Sequence, residues 1–108
     1  MITLEQIELE MLQGDILPHR LGELRVLLSA KFAQAMNELE NVLRVKPGVW
    51  NEMRGNFRSD TACERAWSGM ELGQKELHWK FQLKKMEKMM SALKTLWEIT
   101  NTEIRNLT

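Results

Sequence analysis

Residues 83–107 read LKKMEKMMSALKTLWEITNTEIRNL. Within this stretch Met86, Met90, Leu93, Trp97, Thr100, Ile104 and Leu107 follow one another at steps of four, three, four, three, four and three. That spacing is the seam of a left-handed coiled coil, because it keeps one apolar stripe on one side of an α-helix. Trp79 and Leu83 extend the stripe backwards, and no proline interrupts the chain after Pro47. Further upstream the apolar positions shift to Cys63, Ala66, Trp67, Met70, Leu77 and Phe81, with Gly69 and Gly73 near the shift. Each glycine costs about 1 kcal/mol relative to alanine inside a helix. The pattern predicts one long helix from Ser59 to the end, kinked near the glycines, or two helices if the glycines break it. The unbroken form is preferred. At about 45 residues such a helix is about 68 Å long.

The rest of the chain is also helical by pattern. Thr3 with Gln6 three residues later forms a capping box. Leu4, Ile7, Met11 and Leu12 then keep helical spacing, and Gly14 supplies the terminating cap, so a short helix spans 4–13. Pro18 breaks the chain. From about residue 19, Leu21, Leu24, Leu28, Phe32, Ala35, Leu39 and Val42 form a second stripe. It runs for about 25 residues, or about 37 Å. Pro47-Gly48 is expected to stop it. Val49 to Arg54 would make one or two turns with Trp50 and Met53 inward, ended by Gly55-Asn56. Ser59, or Thr61 with Glu64, caps the last helix. The fold class is therefore all-α: a helical hairpin or elongated bundle with a short N-terminal helix, a second helix of moderate length and a long coiled-coil-like C-terminal helix.

Composition narrows the chemistry. With 108 residues the chain is read as one domain. Met1 is not followed by a basic flank and an apolar run, so no secretory signal is expected. No segment approaches the roughly 20 apolar residues of a membrane span. The lone cysteine, Cys63, permits no internal disulfide and suits a reducing cytoplasm. His19 and His78 are far apart, so neither a zinc site nor any other metal or cofactor is expected. Fifteen basic and fifteen acidic residues cancel, which removes a whole-molecule field that would draw in nucleic acid or imitate it. The Glu8/Glu10 and Glu38/Glu40 pairs are two apart and diverge on a helix, the six glycines form no phosphate loop, and Cys63 lies on an apolar stripe. No catalytic site is read, and the protein is expected to work by binding. Eight methionines and four tryptophans suit either a loosely patterned core or an adaptable binding surface.

Two binding features stand out. A C-terminal helix of that length outruns the cover a second helix of moderate length offers, so its seam, Met86, Met90, Leu93, Trp97 and Ile104, is expected to pair two copies as a homodimer. The second feature is a basic run. Lys75, Lys80, Lys84, Lys85, Lys88 and Lys94 fall within twenty residues that hold only Glu76 and Glu87 as acids. Lys80, Lys84 and Lys88 are four apart and form one ridge, with Trp79 alongside and Arg65 upstream. Such a ridge with aromatic neighbours can track phosphates. Equally, it is the wet side of an amphipathic helix. It is also a possible intramolecular partner for Glu5, Glu8, Glu10 and Asp15.

Several strings, Lys46-Pro47-Gly48-Val49-Trp50, the segment from Arg58 to Trp67, Gly73-Gln74-Lys75-Glu76 and the run from Leu83 to Lys88, resemble those of small helical proteins of unassigned function encoded by phages and prophages. Ser91-Ala92-Leu93-Lys94 fits the same group. The resemblance spans about half the chain. It implies a phage accessory protein that assists DNA replication and recombination or disarms a host defence, the latter including anti-CRISPR inhibitors of RNA-guided nucleases. The near-zero net charge departs from strongly acidic DNA-mimic inhibitors. The leading expectation is a cytoplasmic protein that inhibits a host defence complex by protein–protein contact through Arg65, Lys75, Trp79, Lys80, Lys84, Lys85 and Lys88. The alternative is a nucleic-acid-binding accessory protein that uses the same ridge.

Overall fold

The computed structural model describes residues 2–107. Among the described residues there are four helices and no strand: α1, Leu4–Gln13; α2, Pro18–Arg54; α3, Asp60–Gly69; and α4, Glu71–Leu107. The all-α reading holds. α1 begins on the expected capping box. The Gln6 amide donates to Thr3 Oγ1 at 3.2 Å, and the Thr3 amide donates to Gln6 Oε1 at 2.7 Å. It ends at Gly14, whose φ of 73° is open to glycine at no steric cost. Pro18 opens α2, at the helical position where its missing N–H removes no bond.

Two boundaries differ from the sequence expectation. The first is Pro47, which does not stop α2; the helix continues to Arg54 and is 37 residues long. An interior proline forfeits one backbone bond and costs about 3 kcal/mol. Here the turns around it are tied down from outside. Lys46 reaches Glu76 at 2.9 Å and lies 5.2 Å from the Trp67 ring centroid, Val49, Trp50 and Met53 are half-buried, and Arg54 donates to Phe57 O and to Asp60. Val42, Lys46, Val49 and Met53 carry the inward stripe straight through the proline, so packing overrides local propensity.

The second is the expected continuous C-terminal helix, which breaks into α3 and α4. Its residue of fracture is Met70, extended at φ −81° and ψ 159°, with its amide donating to Trp67 O. The nearby Gly73 explains the geometry. A Cβ built there would lie 1.8 Å from the Trp67 carbonyl oxygen and 2.6 Å from its carbon. The backbone of α3 thus turns back onto α4 over a position only glycine can occupy. Gly69 plays no such part, since nothing approaches its Cβ position. Ser59 rather than Thr61 caps α3, accepting from the Ala62 amide at 3.2 Å.

The chain forms two compact units, one from the segment up to Phe32 with that from Lys85 onward, the other Ala33–Lys84. In the first, Ile7 of α1, Leu21, Leu24 and Leu28 of α2, and Met86, Met89 and Leu93 of α4 are buried. Each fully buried leucine or isoleucine contributes about 1.5–3 kcal/mol. Met89 lies off the strict seam and is buried because α1 covers that side of α4, where Glu8 pairs with Lys85. In the second unit the buried residues are Ala35, Val42, Cys63, Trp67, Gly73 and Glu76. The upstream stripe is therefore corrected. Leu77 and Phe81, expected inside, are 49% and 62% exposed. Once α4 starts afresh after Met70, its inward positions are Gly73, Glu76 and Leu83.

Candidate partner-binding site

The second unit is organised around a buried carboxylate. Glu76 is only 8% exposed, and both of its oxygens are engaged. Oε1 accepts from Trp67 Nε1 at 3.2 Å and meets Lys46 Nζ at 2.9 Å, while Oε2 accepts from Lys80 Nζ at 2.6 Å. Residues from α2, α3 and α4 thus converge on one carboxyl group. Lys46 also lies 3.9 Å from Glu64. Burial pushes the Glu76 carboxyl up, but hydrogen bonds from Lys80 and Lys46 and the charges of both lysines outweigh it, and its pKa falls below the ordinary 4.5. In the first unit Glu10 is also lowered, chiefly by its hydrogen bond from Arg20, whose guanidinium grips it at 2.7 and 2.9 Å.

A pH dependence follows from these directions. A carboxyl whose folded pKa lies below its unfolded value adds stability above the unfolded pKa and loses it as pH falls through the folded one. The thermal midpoint is expected to hold from pH 7 to about 5 and to fall below about 4.5 as Glu76 and Glu10 are protonated. Circular dichroism melts across that range should show a shallower acid decline for Glu76→Gln than for the native chain. An equal decline in both would remove Glu76 from the account.

The structure disperses the expected basic site. Lys80 is held by Glu76, Lys75 lies 3.4 Å from Glu71, and Lys85 pairs with Glu8. Lys84, Lys88 and Arg65 are exposed and make no ion pair among the described residues. Trp79 is half-buried with its ring edge on His78, centroids 4.8 Å apart. The ridge is consequently interrupted at Lys80, and the acidic N-terminal segment does supply a partner, Glu8, although to Lys85 rather than to the ridge. The seam assigned to a dimer is also corrected in part. Met86 and Leu93 are spent on the chain's own core, and Met90 and Trp97 are half-buried, whereas Ile104 is 46% and Leu107 87% exposed.

What sequence reasoning missed is the pair Lys46 and Glu76. Running the seam back from Leu83 and Trp79 by one more three-residue step lands on Glu76. A carboxylate at a seam position with a lysine four residues later was the available signal. Equally missed is the stripe Leu77, Phe81, Lys84, spaced four and three apart on the outward side of α4 and uncovered by any described element of its unit. Among the described residues no group of three His, Cys, Asp or Glu is placed to hold a metal ion, and no helix is long and apolar enough to cross a membrane. Compared with known proteins, the chain matches no family model, no curated protein and no solved structure.

Proposed function

We propose that the protein is a helical docking protein that acts on a protein partner, and that the partner is a host defence complex such as an RNA-guided nuclease. The observation that carries the docking part is the exposed stripe Leu77–Phe81–Lys84. Two large apolar side chains stand in water beside a lysine that pairs with no acid among the described residues. Isolated exposed apolar residues need no explanation, but an aromatic and a leucine one turn apart beside an unpaired cation make the kind of anchor that protein interfaces use. The neutralisation of Lys75, Lys80 and Lys85 within the chain weakens the phosphate-tracking alternative on this ridge. The host-defence part rests on the resemblance to phage proteins. A preformed helix surface limits the ordering cost of binding.

The test is retention of a bacterial partner by the immobilised protein from nuclease-treated lysate, followed by measured affinity. Leu77→Ala with Phe81→Ala is expected to weaken binding by at least about tenfold at unchanged helicity, since interface anchors are worth more than about 1 kcal/mol each. Retention that vanishes on nuclease treatment, or that survives the double substitution, contradicts the proposal. The exposed end of α4, Ile104 and Leu107 with Leu96 and Ile99, is further proposed to pair two copies of the chain. Light scattering is then expected to give twice the 12.7 kDa chain mass at micromolar concentration, and the single-chain mass there removes the dimer.

A further inference from the structure

The first unit carries an open cleft between α2 and the end of α4 that the docking face does not use. Arg25, Lys94 and Arg105 line it with Trp97, Asn101 and Glu98. Arg25 and Lys94 thus share this lining with an indole and a single carboxylate, Glu98, in a chain whose overall charge is zero. Among the described residues Arg25 and Lys94 make no ion pair, whereas Arg20, Arg44, Lys46, Arg54, Lys75, Lys80 and Lys85 all do. Two further hollows share some of these residues. Arg25 and Lys94 line one of them, and Arg25 and Trp97 the other. Trp97 lines two of these hollows and is only half-buried. The one indole among the described residues with a cation over its ring is Trp67, covered by Lys46, so the Trp97 ring remains free to take another planar group.

We propose that this cleft binds a phosphorylated nucleoside, with Arg25 and Lys94 on the phosphate and the base against Trp97. The chemistry follows from the groups present. A guanidinium offers a donor fork matched to phosphate oxygens, and an ammonium adds charge without demanding geometry. An indole beside them stacks any base, because every base presents a π-face. The Asn101 amide can donate to or accept from sugar and base edges. Glu98, in the same lining, repels a second phosphate close by. A free nucleotide and a single strand present the same chemistry to such a cleft. The site is separate from the lysine ridge and independent of the protein-docking reading.

The experiment uses the full chain with three probes in low-salt buffer: inorganic phosphate, adenosine monophosphate and a fluorescein-labelled ten-nucleotide DNA single strand. Binding is followed by calorimetry for the small probes and by anisotropy for the strand. Binding of the nucleotide or the strand is expected, weakened at least tenfold by Arg25→Gln with Lys94→Gln and separately by Trp97→Leu, and left within twofold by Lys84→Gln with Lys88→Gln. Comparable affinity for nucleotide and strand identifies a free nucleotide as the ligand, and strand binding alone identifies the strand; both support the site. Because Trp97→Leu removes packing, Trp97→Phe serves as its folded counterpart and is expected to retain most of the affinity. Three results overturn the proposal: no binding of any probe, binding lost through Lys84 and Lys88 instead, or phosphate alone binding as tightly as the nucleotide.

Discussion

Gly73→Ala is expected to be the most damaging single-methyl change in the molecule. Alanine is ordinarily the better helix former by about 1 kcal/mol, so in an open helix the change would stabilise. At Gly73 the added carbon falls 1.8 Å from the carbonyl oxygen of Trp67, which is backbone and has no rotamer to yield. Either α3 moves off α4 or the helix start shifts. Overpacking of this kind costs about 1–3 kcal/mol and sometimes more, so the expected net loss is about 2 kcal/mol. Gly69→Ala is the control. It places a methyl in open space at the last residue of α3, and is expected to be neutral or to stabilise by less than the roughly 1 kcal/mol of a helix interior. Urea denaturation of the two variants measures the contrast. Equal effects would mean that the turn at Met70 is not closed as described.

The second large effect concerns Glu76. Removing one member of a buried ion pair leaves the other charge without a partner, at a cost of about 3–5 kcal/mol when both are fully buried. Lys46 and Lys80 retain some access to water, so Glu76→Ala is expected near the lower end, about 3 kcal/mol, with the Trp67 indole N–H also left without its acceptor. Lys46→Met combined with Glu76→Leu should recover most of that loss, because a well-packed apolar replacement avoids the stranded charge. A double-mutant cycle read from denaturation midpoints would show the coupling. If the two single variants simply add, the carboxylate is not the organising group of the second unit.

Most of the helices were legible in the sequence, and the reasons are local. The Thr3–Gln6 capping box, the stripe from Leu21 to Val42 and the Ser59 cap are each set by residues within one or two turns of one another. The failures share a cause. Pro47 reads as a stop because its cost is local, whereas what outweighs it, Lys46 on Glu76 and Trp67, lies about thirty and about twenty residues away and cannot be weighed from spacing. Gly69 and Gly73 look equivalent in sequence. Only the tertiary approach of the Trp67 carbonyl separates them. The candidate site followed the same rule. Lysines four apart are visible as a ridge, but whether each is already neutralised depends on partners such as Glu8, which lies far from Lys85 along the chain. Leu77 and Phe81 were assigned inward because the stripe was carried unbroken across Met70.

The central claim is that the turn at Met70 rotates α4 so that Gly73 and Glu76 face inward and Leu77 and Phe81 face out. Thiol labelling of native protein tests it directly, with Leu77→Cys and Phe81→Cys made one at a time and buried Cys63 as the internal reference. Each variant is expected to show one thiol reacting at close to the rate of a free cysteine and one protected until the chain unfolds. Introduced thiols as protected as Cys63 would mean an unbroken helix with its stripe turned inward, and would contradict both the fold of the second unit and the docking face built on it.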